Sequence, residues 1–148
     1  MTTTRVIRAI TICQPYAHLI ATPTEKLPGG LVQKRVENRG WYCAHRGPIA
    51  IHAGKSEKFM RSGDRETFAN SAGGLVFGAV LGIAEMVACL KLRNPSKPFP
   101  AEFHWLRSHV HAEGPYCFVL ERFVPLKLPY YCSGAQGLWN VEIPEELI

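Results

Sequence analysis

The chain has 148 residues, of which 47% are hydrophobic and 20% are charged. This balance is typical of an ordinary globular domain that is long enough to bury a core. No apolar run has the length of a membrane span, and the first residues lack the pattern of a cleaved leader peptide. We therefore expect a single domain over residues 1–148, located in the cytoplasm and without a membrane partner.

The charge is distributed unevenly along the chain. Residues 1–70 contain eleven lysines and arginines against five acidic residues, whereas residues 71–148 contain six against seven. A basic half on a nearly neutral body indicates a partner that carries phosphates.

The five cysteines are scattered and include no CxxC pair. Their odd number and spacing argue against a disulfide framework and favour reduced thiols in the core. The paired spacing of structural zinc ligands is also missing, so we expect no metal and no cofactor. The ligand sets that remain conceivable are Cys43, His45 and His52, and His104, His109 and His111.

Runs rich in β-branched residues, separated by proline and glycine, predict several short strands with a few helices between them. The order of these elements favours an α+β fold with a mixed or closed sheet, because the strands follow one another too closely for regular βαβ crossovers. The predicted strands are 5–12, 31–41, 47–54, 73–92, 115–128 and 138–144. The predicted helices are 14–22, a helix capped by Ser56 and broken at Ser62 and Gly63, and 100–111 with Phe103, Leu106 and Val110 on one face.

The densest group of charges lies between Lys34 and Arg39. Side chains alternate along a strand, so Glu37 and Arg39 share one face and Lys34 lies on the other. Lys34 joins them only if it lies in the loop before the strand or at a bulge, and the flexible Gly29-Gly30 pair just upstream permits this. We hypothesise that the three side chains line a cleft; the alternative is a solvated ion pair on an ordinary surface.

Two further stretches are candidates for a site. His52 and Lys55 follow at the end of a strand, where a lone histidine is usually structural and a lysine before a helix favours an anion. Near the C-terminus, Gly134 and Gly137 permit a backbone to approach something closely. A ligand site and a hairpin turn followed by a core tryptophan both fit the stretch that contains Ser133, Gln136 and Trp139.

The ordered motifs "ITICQPYAHLI", "KRVENRGW", "RGPIAIHAGK", "PYCFVLE" and "CSGAQGLW" resemble the ASCH domain over about residues 5–141. The resemblance implies a small PUA-like β-barrel of about five or six strands with flanking helices. It also implies a cleft that takes RNA or modified nucleosides. Residues that match the family's motifs are Gln14, Pro15, Tyr16, Lys34, Glu37, Asn38, Arg39, His52, Lys55, Gly134, Gly137 and Trp139.

Two departures from the family's pattern affect the expected chemistry. Tyr16 replaces the usual tryptophan of its motif, and Glu37 occupies the position of the nucleophilic threonine in the family's small amidohydrolases. A covalent mechanism through that threonine is therefore excluded, although Lys34 and Glu37 can still orient or deprotonate water.

The leading interpretation is an RNA- or nucleotide-binding protein with a basic cleft, acting as a monomer or weak dimer. The first alternative is a metal-independent hydrolase of an N-acylcytidine or of RNA, and the second is a regulatory protein–protein interaction module. The predicted catalytic residues are Lys34, Glu37, His52 and Lys55. The predicted ligand-binding residues are Gln14, Tyr16, Asn38, Arg39, Trp41, Ser133, Gln136 and Trp139.

Overall fold

The computed structural model describes residues 3–22, 27–71, 73–93 and 98–148. Within them, the chain forms six strands with short helical segments between some of them. The strands are β1 (Thr4–Ile12), β2 (Val36–Arg39), β3 (Gly47–Ala53), β4 (Ala79–Lys91), β5 (Tyr116–Tyr131) and β6 (Leu138–Pro144). The helices are α1 (Tyr16–Ala21) and α2 (Asp64–Phe68), with 3-10 turns at Pro28–Gly30, Ala101–Ser108 and Glu145–Leu147.

All six strands belong to one mixed sheet in the order β2-β5-β4-β3-β1-β6. Only β1 and β3 run parallel; every other neighbouring pair is antiparallel. The prediction of an α+β fold with a mixed sheet is confirmed.

The sheet carries a core on both faces, because its central strands are apolar on both sides. One cluster is built around Ile10, Ile51 and Phe118, and a second around Val80 and Ile143. β-Branched and aromatic side chains of this kind pack well on a pleated surface, which is why these runs form strands.

The sheet curves strongly but is not closed by strand pairing. β2 and β1 are four strand intervals apart, which is about 19 Å in a flat sheet at about 4.8 Å per interval. Nevertheless the Arg39 guanidinium on β2 donates a 2.8 Å hydrogen bond to the Thr11 carbonyl on β1. Curvature therefore brings the β2 edge against the end of β1, and a side chain bridges the gap that no strand pairing closes.

Two predicted helical features are wrong. No helix begins at Ser56: residues 55–63 form bends and turns, and the helix covers only Asp64–Phe68. The predicted helix over 100–111 is a kinked 3-10 segment in which Leu106 is buried but Val110 is 67% exposed. Gly63, with a φ of +89°, directly precedes the short helix, and Pro100 directly precedes the 3-10 segment. None of the helices that the structure describes is long and apolar enough to cross a membrane.

Candidate functional site

A cavity of about 340 Å³ opens where β2, the end of β1 and the start of α1 converge. The segment after β3 and the loop before β5 complete its wall. Its lining consists of Thr11, Ile12, Cys13, Tyr16, Lys34, Glu37, Asn38, Arg39, Lys58, Phe59, His111 and Glu113.

Lys34 lies in the loop before β2, as the hypothesis of a shared cleft requires. Its backbone N–H donates to the Leu19 carbonyl at 3.0 Å, which ties this loop to α1. The side chain is only 4% exposed, and its ammonium donates to the Val36 carbonyl. The same nitrogen lies 3.6 Å from Glu37 Oε1 and 5.7 Å from the centre of the Tyr16 ring.

Burial dominates the acid–base behaviour of Lys34. Removal from water lowers the pKa of its ammonium, while the Glu37 carboxylate acts in the opposite direction and Arg39 adds to the lowering. Desolvation disfavours the charged form of any buried amine. Lys34 therefore loses its proton more readily than an ordinary lysine does.

Glu37 and Arg39 share one face of β2, as their spacing predicts. Glu37 Oε1 accepts a 3.0 Å hydrogen bond from the Asn38 N–H, but Oε2 is buried and has no hydrogen-bond donor. The Arg39 Nη2 atom lies 3.8 Å from Oε2, which is an ion pair without a hydrogen bond. A buried acceptor without a donor is unusual, so a ligand in this cavity would find an unmet acceptor in its wall.

Asn38 lines the cavity, but its amide is already occupied. Its Nδ2 donates to the His111 carbonyl at 2.8 Å, and its Oδ1 accepts from the N–H groups of Glu113 and Gly114, each at 2.9 Å. The prediction that Asn38 reads the edge of a base is corrected accordingly: this side chain holds the loop that forms one cavity wall.

The mouth of the cavity contains residues that sequence reasoning missed. The Phe59 ring meets the Tyr16 ring edge to face, with centroids 5.6 Å apart, and the Lys58 ammonium lies over Phe59. His111 and Glu113 contribute from the loop before β5. The only sequence signal for Lys58 and Phe59 was their place a few residues after the predicted strand 47–54.

The charge of the cavity is less basic than expected. Its lining contains three lysine or arginine side chains and two carboxylates, so the excess of positive charge is small. The excess of basic residues in the first half of the chain is therefore not concentrated in this cavity.

Gln14 does not reach the cavity. It is fully buried; its Nε2 donates to the Val76 carbonyl at 2.8 Å, and its Oε1 accepts from the His18 N–H at 2.9 Å. The predicted contact between Gln14 and a base is wrong, because the amide joins α1 to the segment before β4.

His52 belongs to a separate, internal cluster. Its Nε2 donates to the Cys132 carbonyl at 2.8 Å, so Nδ1 is left to accept from the Thr11 hydroxyl at 3.1 Å. The Trp139 indole N–H donates to the same hydroxyl at 3.1 Å, and the Trp139 and His52 rings are 5.3 Å apart. Burial lowers the pKa of His52 below its ordinary value. Since both ring nitrogens are occupied and the side chain is 2% exposed, the predicted catalytic role of His52 is corrected to a structural one.

The C-terminal turn approaches this internal cluster and not a ligand. A Cβ at Gly134 would lie 2.4 Å from Thr11 Oγ1 and 2.8 Å from His52 Nδ1. The close approach that the glycine pattern predicts is therefore made to the protein's own side chains. Ser133 and Gln136 are exposed in the same turn, and neither lines the cavity.

Two other predicted residues also lie outside the cavity. Lys55 is exposed, with its methylene groups packed over Gly78. Trp41 is 38% exposed, and its ring packs edge to face on Phe118 with centroids 5.1 Å apart. Of the predicted site residues, the structure brings together Tyr16, Lys34, Glu37, Asn38 and Arg39.

Within residues 3–22, 27–71, 73–93 and 98–148, no three His, Cys, Asp or Glu side chains are grouped so as to hold a metal ion. Neither conceivable zinc set is assembled among these residues.

A scan against models of protein families and a search of curated proteins gave no match to this chain. The resemblance to the ASCH domain therefore stays a prediction. We infer the role of the cavity from its geometry alone.

Proposed function

We propose that this protein has a PUA-like fold and binds a nucleotide-like small molecule in the cavity around Lys34, Glu37 and Arg39. The observation that carries the proposal is the buried Lys34–Glu37 pair, in which one carboxylate oxygen has no donor. Buried polar groups that are left unsatisfied inside a pocket are the groups that a ligand can complete.

The size and charge of the cavity favour a small ligand over a long strand of RNA. A volume of about 340 Å³ is near the lower end of small-molecule sites, which span roughly 300–1,000 Å³. The Tyr16 and Phe59 rings provide apolar surface at the mouth, and Lys58 provides one exposed cation for a phosphate. A base or nucleoside with a single anionic group matches this set of contacts.

Hydrolysis in the same cavity is a second candidate, favoured by the lowered pKa of Lys34. A lysine whose pKa is lowered gives up its proton at a lower pH than an ordinary lysine, and the neutral amine can take a proton from water as the water attacks an amide carbonyl. Glu37 lies 3.6 Å from the amine and is placed to receive or return that proton, while Arg39 supplies positive charge beside them. The bond broken would be the amide of an N-acylated base, giving a carboxylate and the free amine.

The first experiment is a double-mutant cycle on the buried pair. Lys34→Met and Glu37→Gln each leave a buried partner unpaired, so each should lower the free energy of unfolding by about 3 kcal/mol. The double variant removes both groups and should recover most of that loss. Calorimetric titration with cytidine monophosphate and N-acetylcytidine should show no binding to any of the three variants. Lys127→Met, which changes an exposed lysine outside the cavity, is the matched control and should bind as the parent does.

Recovery of stability together with recovery of binding in the double variant would contradict the proposal. Lys34→Arg separates binding from turnover, because arginine keeps the positive charge and cannot act as a base. If the protein hydrolyses N-acetylcytidine, this variant should lose turnover while retaining measurable affinity.

Salt dependence distinguishes a small ligand from a strand. With Arg39 and Lys58 as the phosphate contacts, two contacts at about 0.7 each give a slope of log affinity against log salt near −1.4 for a single strand. A much steeper slope for a short RNA would show that cations outside the cavity carry the binding, and the small-ligand proposal would then be wrong.

A further inference from the structure

The first half of β1 has a strand partner on one side only. β1 pairs with β6 from Thr4 to Ile10, but its parallel pairing with β3 starts at Ala9. Over residues 4–8, no strand in the described part of the chain pairs with the other edge of β1. That edge presents the backbone N–H and C=O groups of every second residue, which lie about 6.6 Å apart at a rise of about 3.3 Å per residue.

Local sequence explains why β3 separates from β1 at this point. Pro48 has no N–H to donate to a ladder, and Gly47 before it has a φ of +104°. Both residues pair with β4 on the other side of β3, so β3 continues while β1 diverges from it.

The divergence opens an apolar groove that shares no lining residue with the cavity around Lys34. The groove has a volume of about 670 Å³ and lies between the first half of β1 and the middle of β4 and β5. Ile7 and Leu126 are buried in its wall, whereas Val6 and Val124 are 59% and 63% exposed. Exposed valines beside an unpaired strand edge are a feature that soluble proteins normally avoid.

The groove is also positively charged. Among the residues that the structure describes, its lining contains Arg5, Arg8 and Arg122 against one acidic side chain, that of Glu85. Arg5 and Arg122 make exposed ion pairs with Glu145 and Glu121, both at 3.2 Å, which are worth little. Among the residues that the structure describes, no carboxylate forms an ion pair with Arg8.

We propose that this groove is a docking site for an extended segment of a partner protein, which adds a strand to β1 at residues 4–8. The segment alternates apolar and acidic side chains: the apolar ones lie on the Ile7 face of β1 and contact the apolar wall, and the acidic ones lie on the opposite face with Arg8. A small amphiphile could use the wall and the arginines, but it would leave the unpaired backbone edge unsatisfied. Only another backbone matches that edge, over the roughly 16 Å that five residues span.

The test uses blocked synthetic hexapeptides that carry a fluorescent label. The peptide EVEVEV should bind in an anisotropy titration, and KVKVKV should not. The same EVEVEV peptide with N-methyl groups at alternate residues keeps its side chains but loses the donors of one edge. We expect its affinity to fall at least about tenfold, because strand addition depends on backbone hydrogen bonds.

Two measurements on the protein locate the site. Amide hydrogen exchange should slow at residues 4–8 when EVEVEV is added. Arg8→Glu should weaken EVEVEV at least about tenfold, whereas Lys91→Glu, an equal charge reversal at the exposed end of β4, should not.

Three outcomes would overturn the proposal. The first is an affinity that N-methylation leaves unchanged, which would mean that the wall and the arginines bind without strand addition. The second is the absence of EVEVEV binding to the intact chain. The third is self-association in sedimentation that Arg8→Glu abolishes, which would make a second copy of the chain the occupant.

Discussion

Two polar clusters meet at the end of β1, and Thr11 belongs to both. Its carbonyl accepts a hydrogen bond from Arg39 in the Lys34 cluster, and its hydroxyl contacts His52 and Trp139 in the His52 cluster. In the His52 cluster every ring nitrogen has a partner. In the Lys34 cluster the charged groups are 3.6 and 3.8 Å apart, and Glu37 Oε2 has no donor.

The difference separates a polar group that serves the fold from one that is available to a ligand. A fully satisfied buried network fixes a single arrangement of the core. A buried pair with unmet hydrogen-bonding capacity costs stability unless something else completes it. Burial alone does not distinguish the two clusters, since Lys34 and His52 are both almost completely buried.

The largest effect is expected where the His52 cluster has no space. Gly134→Ala should lower the free energy of unfolding by about 3 kcal/mol, because the added methyl group would overlap the Thr11 hydroxyl and the His52 ring. Urea denaturation measures this. Gly40→Ala is the matched control, since nothing lies within 4 Å of a Cβ at that position. Equal stabilities for the two variants would show that the His52 cluster is loosely packed.

A smaller effect is expected when the hydroxyl that joins the cluster is removed. Thr11→Val keeps the shape of the side chain but leaves the Trp139 N–H and His52 Nδ1 without their partner. Unsatisfied buried groups of this kind should together cost about 2 kcal/mol. Thr4→Val, at an exposed position of the same strand, should change stability by less than about 0.5 kcal/mol. If Thr11→Val leaves the free energy of unfolding unchanged, the hydrogen bonds of the His52 cluster do not stabilise the fold.

The smallest effect is a pH dependence that differs between the clusters. Burial lowers the pKa of His52, so below about pH 6.5 the unfolded chain binds more protons and the free energy of unfolding falls as the pH falls. Burial also lowers the pKa of Lys34, so the contribution of Lys34 to the free energy of unfolding should rise as the pH rises toward about 10.4. Burial raises the pKa values of the Cys89, Cys117 and Cys132 thiols, which act in the opposite direction in the alkaline range.

Urea midpoints measured across both pH ranges test this assignment. His52→Gln should remove part of the acid dependence only, because His18, His109 and His111 also have pKa values lowered by burial. Lys34→Met should remove the rise that Lys34 contributes on the alkaline side and leave the acid side as it was. A changed alkaline dependence for His52→Gln, or a changed acid dependence for Lys34→Met, would contradict the assignment.

The sequence predicted the existence of the six strands and the grouping of Lys34 with Glu37 and Arg39, because both depend on local patterns. Two strands are shorter than predicted: β2 covers Val36–Arg39 within the predicted 31–41, and β4 covers Ala79–Lys91 within the predicted 73–92. Alternation placed Glu37 beside Arg39, and the Gly29-Gly30 pair, with φ values of +62° and +73°, accompanies the irregular approach to β2. These signals lie within about ten residues of the site that they describe.

The roles of Gln14, Asn38 and His52 could not be predicted in the same way. Each side chain is polar and fits a ligand contact, but its partners lie 62 to 80 residues away in the chain for Val76, His111 and Cys132. A single sequence shows that a group needs a partner and does not show which distant backbone atom supplies it. That the sheet stays open could not be predicted for the same reason. Whether β2 pairs with the far edge of the sheet depends on the curvature of all the strands between β2 and that edge.

The hydrogen bond from Arg39 to the Thr11 carbonyl forms a seam, meaning a line where β2 and the end of β1 meet without strand pairing. A seam made of strand pairing opens only when several backbone hydrogen bonds break together. Here the contact between β2 and β1 is a 2.8 Å hydrogen bond from the Arg39 side chain, which also lines the cavity. Rotation about the side-chain bonds of Arg39 would therefore break this contact without breaking any strand pairing.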